Sequence, residues 1–93
     1  MTYRLVYETG SRQAVRRLPP DLKALIKRAI ESLQNNPYGG KELRFDLAGY
    51  RSLRSRRYRV IYRVQEAERV VEIHHFGHRA DVYETLRQLV KRG

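Results

Sequence analysis

Apolar residues recur along this chain with two different periods, and the change between them comes near its middle. Leu22, Leu25, Ile26, Ala29, Ile30 and Leu33 follow at i, i+3, i+4, i+7, i+8 and i+11, the single apolar stripe of an amphipathic helix. Asp21 opens that helix and Asn35-Asn36-Pro37 closes it, with Tyr38-Gly39-Gly40 as a flexible turn beyond. A shorter run precedes it: Ser11 as cap, then Ala14, Val15 and Leu18, stopped by Pro19-Pro20. The β-rich Tyr3–Tyr7 reads as an opening strand.

After the turn the period falls to two. Tyr50–Leu53 is a strand, and Ser55-Arg56-Arg57 is a tight connection. Tyr58, Val60, Tyr62 and Val64 then alternate with Arg59, Ile61 and Arg63, which puts both arginines on one strand face. Glu66–Glu68 interrupts the pattern. Arg69–Phe76 forms the next strand, with Val71, Ile73 and His75 on one face, His74 on the other, and Gly77 ending it. Asp81 heads a last helix in which Val82, Leu86 and Leu89 face inward, while Arg87, Lys91 and Arg92 suit its C-terminal end. The expected order is β-α-α-β-β-β-α: an α+β domain over residues 1–93, with a helical hairpin packed on a mainly antiparallel four-stranded sheet, a C-terminal helix, and the helices over one face.

Charge sharpens this picture. The 93 residues hold 20 Lys+Arg against 10 Asp+Glu, a formal charge of +10. Residues 41–63 alone hold eight basic side chains (Lys41, Arg44, Arg51, Arg54, Arg56, Arg57, Arg59 and Arg63) against Glu42 and Asp46, whereas residues 64–93 balance five against five. Arginine dominates the cluster, and its planar fork of donors suits phosphate, so the cluster reads as a footprint for a polyanion. Cysteine is absent, which excludes disulfides, thiolate chemistry and Cys-based metal sites and fits a reducing cytoplasm. No apolar run reaches the length of a membrane helix, and the N-terminal residues carry no signal-peptide core.

Several stretches, in order, resemble the RelE/ParE superfamily of toxins from type II toxin–antitoxin systems. They are Ala14-Val15-Arg16-Arg17-Leu18-Pro19, Leu33 to Asn36-Pro37, Lys41-Glu42-Leu43, Leu47-Ala48-Gly49-Tyr50-Arg51-Ser52-Leu53-Arg54, Tyr58-Arg59-Val60-Ile61-Tyr62 and Gly77-His78-Arg79-Ala80-Asp81-Val82-Tyr83. The resemblance implies a toxin held inactive by a cognate acidic antitoxin, with operator DNA met only through their complex. It implies cleavage of mRNA in the decoding site of the ribosome, as in RelE-type members. The alternative it carries is ParE-type inhibition of DNA gyrase without nuclease chemistry.

By the same resemblance Arg51, Arg54, Arg59, Arg79 and Tyr83 fall on catalytic positions: Arg59 near the scissile phosphate, Arg79 as acid or phosphate clamp, and Tyr83 stacking on or orienting a nucleotide. Lys41, Arg44, Arg56, Arg57 and Arg63 are further RNA-binding candidates. Tyr50–Arg59 lacks the lysine that the best-known RelE enzymes carry there. Metal-free cleavage by the RNA's own 2′-hydroxyl needs that hydroxyl deprotonated, the phosphorane charge stabilised and the leaving 5′ oxygen protonated. Arginine serves the second task and, always charged, serves the first badly. His78, an imidazole able to move protons near neutral pH, is the expected replacement, with Tyr83 second. No cofactor is expected. No metal is expected either, because His74, His75 and His78 lack a Cys or nearby carboxylate, and neighbours on a strand point apart.

Overall fold

A five-stranded sheet in the order β1-β5-β4-β3-β2 forms the spine of the computed structural model, which describes residues 2–8 and 10–92. The strands are β1 (Arg4–Tyr7), β2 (Lys41–Glu42), β3 (Arg51–Ser55), β4 (Tyr58–Gln65) and β5 (Val70–His78). Only β1 pairs in parallel, against β5; the other neighbours are antiparallel. The sequence pattern gave four strands. The fifth, β2, is two charged residues paired with Arg51 and Ser52, too short to show any alternation. The helices are α1 (Ser11–Arg16), α2 (Pro20–Ser32) and α3 (Val82–Arg92). The expected domain bounds at Met1 and Gly93, and the side chain of Arg92, lie outside the described residues.

Pro20 stands in the first turn of α2, where its missing N–H breaks no helical bond, and Asp21 complements the positive end. Ile26 and Ile30, with Leu33 just beyond, are fully buried, each contributing about 1.5–3 kcal/mol of apolar transfer. In α1 the cap differs from expectation. Gly10 is the cap, at φ 85°, while Ser11 is buried and donates its hydroxyl to the carbonyls of Glu8 (2.7 Å) and Ile73 (3.1 Å).

The helices do not share one face of the sheet. Val15, Ile26, Ile30 and Leu33 bury against Val60, Tyr62, Val71 and Ile73 on the hairpin side. Val82 and Leu86 of α3 pack with Leu47 and Ile61 in a second cluster on the reverse side. The cause is on β4, where consecutive Val60, Ile61 and Tyr62 are all at 0% exposure, so both faces of this strand need cover. An exposed ion pair, Arg87 to Asp46 at 3.0 Å, ties α3 to the 3₁₀ turn Phe45–Leu47.

The β4–β5 register slips once: Ile61 opposes His75 but Tyr62 opposes Ile73, leaving His74 as the extra residue of a β-bulge. This corrects the expected alternation. His75 leaves the Val71/Ile73 face and joins Ile61 on the α3 side.

The turn after α2 is fastened rather than loose. The Tyr62 hydroxyl donates to the Pro37 carbonyl (2.7 Å) and accepts from the Gly40 N–H (2.9 Å). A Cβ on Gly40 would stand 2.6 Å from that hydroxyl and 2.9 Å from the Ser52 carbonyl, so only glycine fits. Nearby, Glu66 accepts hydrogen bonds from the hydroxyls of Tyr3 (2.7 Å) and Tyr38, joining the start of the chain, this turn and the β4–β5 connection. Those bonds, Tyr38's first, hold the Glu66 carboxyl below its ordinary value, and the same bond to Glu66 pushes the Tyr38 phenol up to about 12. Among the described residues no helix is long and apolar enough to cross a membrane.

Candidate nucleic-acid interface

The β3–β4 register sets Arg54 directly opposite Arg59. Both lie on the sheet face that carries Ile61, the face of α3. Among the described residues, neither has a carboxylate within salt-bridge distance. Arg59 is held in place by donating to the carbonyls of Arg56 (3.3 Å) and Tyr58 (3.1 Å) at the hairpin turn. On its other flank Arg59 opposes Gly77, where the strand presents no side chain of its own and the His75 and Val82 side chains pack over the glycine, 3.5 and 3.6 Å from where a Cβ would stand. The turn itself bends through Arg56 at φ 55°.

Tyr83 enters this face from the first turn of α3. Its hydroxyl lies 3.0 Å from Ser52 Oγ, either atom able to donate. Ser52 sits two residues before Arg54 on the same side of β3 and opposes Ile61. Arg79 follows β5, and its N–H donates to the Arg57 carbonyl at 2.7 Å. That bond brings exposed Arg79 beside the Arg56-Arg57 turn. Arg54, Arg56, Arg57, Arg59 and Arg79 therefore gather at one end of the sheet, with Tyr83 and Ser52 on the α3 face next to them.

Two expected site residues stand elsewhere. Arg51 opposes Tyr62 and so faces the helical hairpin, where it donates to the carbonyls of Gly40 (2.9 Å) and Tyr38 (3.4 Å) and lies over the Tyr38 ring. Its role is to hold the turn. His78 opposes Tyr58, its ring edge-on to the tyrosine at 5.8 Å, and its Nδ1 accepts from the Ala80 N–H. Because β5 runs on through Gly77, alternation carries His78 to the hairpin side, away from Arg54 and Arg59. The imidazoles on the α3 side are His74, against Tyr50 and the α3 residues Leu86 and Leu89, and His75, which is half-buried and whose pKa burial lowers below the ordinary histidine value.

The remaining RNA-binding candidates divide. Arg56 and Arg57 belong to the cluster; Lys41 and Arg44 are exposed at the β2 edge; Arg63 is half-buried with its guanidinium 5.3 Å from the Tyr50 ring centroid. Ser52 was not singled out from the sequence. The period-two spacing from Arg54 was the signal that could have found it. A depression of about 640 Å³ between α2 and the β3–β4 turn, lined by Leu22, Leu25, Arg28, Arg56, Arg57 and Tyr58, touches the cluster only through the turn arginines. It lies on the hairpin side and holds neither Arg59 nor Tyr83, so its size does not make it the reactive site.

A sheet of this order, with a helical hairpin on one face and a single helix on the other, is the RelE-like α+β fold. The toxin of the RelBE2 toxin–antitoxin complex from Mycobacterium tuberculosis superposes with a TM-score of 0.76 at 31% identity, covering 84% of this chain and 99% of that one. A free-state arginine-substituted variant of E. coli RelE gives 0.74 at 25% identity, covering 99% and 98%. The family model for the ParE toxin of type II toxin–antitoxin systems (parDE) matches residues 12–83. Toxin RelG of M. tuberculosis is 38% identical over 85 residues, 89% of this chain and 98% of that protein. The chain belongs to the RelE/ParE superfamily and is a toxin of a type II toxin–antitoxin system.

Proposed function

We propose that the chain is a ribosome-dependent endoribonuclease of the RelE type that cuts mRNA in the decoding site. The observation that carries this reading is the uncompensated Arg54–Arg59 pair on the same face as the Tyr83 hydroxyl. Two guanidiniums side by side suit the two non-bridging oxygens of one phosphate, where charge grows as the 2′-hydroxyl attacks. The 2′ oxygen bonds to phosphorus, the bond to the 5′ oxygen breaks, and the products are a 2′,3′-cyclic phosphate and a 5′-hydroxyl end. Arg79, exposed at the margin, is the phosphate clamp. Tyr83, on the same face, takes the proton-handling or base-stacking role that geometry denies to His78. The ribosome supplies the rest by holding the message with its 2′-hydroxyl in line, an orientation effect. Relatives solved as RelBE complexes support a cognate antitoxin as the partner of this chain, and a face this basic suits an acidic one.

Cleavage in a purified translation system tests the assignment. Wild type is expected to give codon-positioned cuts, Arg59→Ala and Tyr83→Phe to lose about 10²–10³-fold in rate, and His78→Ala to stay within a few-fold of wild type. The match to the ParE toxin model favours a second reading, inhibition of gyrase. No cleavage by wild type together with blocked supercoiling would establish it in place of the first.

A further inference from the structure

We propose that Glu8, Glu72 and His74 form a binding site for a divalent transition-metal ion of the zinc or cobalt type, clamping β1 to β5. One ligand atom from each lies within 4.8 Å of the others, and all three side chains are partly buried. The sequence pattern spoke against a metal because no carboxylate stood near the histidines and His74 was expected to point away from its neighbour. The fold supplies both missing conditions. Glu8, just past β1, donates its N–H to the Ile73 carbonyl at 2.9 Å, which sets it beside His74. The bulge frees His74 from the ladder and turns its Nε2 to 3.1 Å from Glu72 Oε1. The Tyr50 ring, edge-on at 5.1 Å, fixes the plane of that imidazole.

Among the described residues neither Glu8 nor Glu72 has a lysine or arginine within salt-bridge distance. Arg63 opposes Glu72 on β4, but its guanidinium lies over the Tyr50 ring instead. Two carboxylates thus converge with only an imidazole between them, and a bound cation removes their repulsion. One nitrogen and two oxygens suit zinc or cobalt better than calcium or magnesium, which prefer all-oxygen shells. Three protein ligands leave a fourth position for water, and a cavity of about 130 Å³ lined by Gly10, Ser11, His74 and His75 adjoins the histidine. Along β4, Arg63 is four residues from Arg59, about 13 Å, so this site shares the sheet face with the arginine cluster and stands apart from it along the strand.

Metal-stripped full-length chain titrated with Zn²⁺ by calorimetry and with Co²⁺ by visible absorption decides the matter. One equivalent is expected, with Co²⁺ d–d bands of low-symmetry N/O coordination and a higher melting temperature in the holo form. His74→Ala and Glu8→Gln should each weaken binding by about tenfold or more, and His78→Ala should leave it unchanged. Circular dichroism of each metal-free variant checks folding, and Glu8→Gln, which conserves size, decides alone if His74→Ala does not fold. Absence of stoichiometric binding to wild type, or binding that survives Glu8→Gln and His74→Ala or vanishes in His78→Ala, overturns the site.

Discussion

Arg54 and Arg59 stand opposite each other on paired strands with no carboxylate between them. Like charges so placed cost about 0.2–1 kcal/mol of sheet stability, which selection for folding alone would remove. Arg54→Thr should therefore raise the urea midpoint by that order while cutting mRNA cleavage at least tenfold. The two assays together separate a functional residue from a structural one. Arg51 shows the opposite case. It is three residues from Arg54, an odd spacing that sends it to the other face, and there it holds the Tyr38–Gly40 turn. That difference was legible in the strand period. The placement of His78 was not, because it depends on β5 running past a glycine that reads as a stop.

At the scale of elements, α2 and the antiparallel order of β3, β4 and β5 were legible because each writes its period into its own residues. The two-residue β2, the bulge at His74 and the face taken by α3 were not. Each is settled by a partner: Arg51 and Ser52 pair β2, the slipped register strands His74, and Ile61 calls α3 to the reverse side. The turn after α2 is likewise set from a distance, by the Tyr62 hydroxyl. Tyr62→Phe removes its bonds to Pro37 and Gly40 and leaves buried backbone groups unpaired, at a cost of about 1–3 kcal/mol. Chemical denaturation checks this. Since Arg51 and β2 share that turn, the loss should extend to faster hydrogen exchange in β2.

Over the whole molecule, one carboxylate joins three distant stretches of chain. The folded pKa of Glu66 lies below the ordinary 4.5, so its contribution is present above that pH and is lost as pH falls through the folded value. The Tyr3 and Tyr38 phenols lie above the ordinary 10.0, so theirs is present below that pH and is lost as pH rises, for Tyr38 through about 12. Glu66→Gln should lower stability at neutral pH and flatten the decline below pH 4.5, as urea midpoints across that range would show. The parallel pairing of β1 with β5 has a further consequence, for the order of events at birth. Among the described residues β1 pairs only with β5, residues 70–78, which is made after β2, β3 and β4. Until β5 has emerged, β1 has nothing to pair with, and the arginines of β3 and β4 lack the Gly77 floor and the Tyr83 that follows it. The arginine face is thus completed only after β5 and Tyr83 have been made, and the delay is built from topology alone.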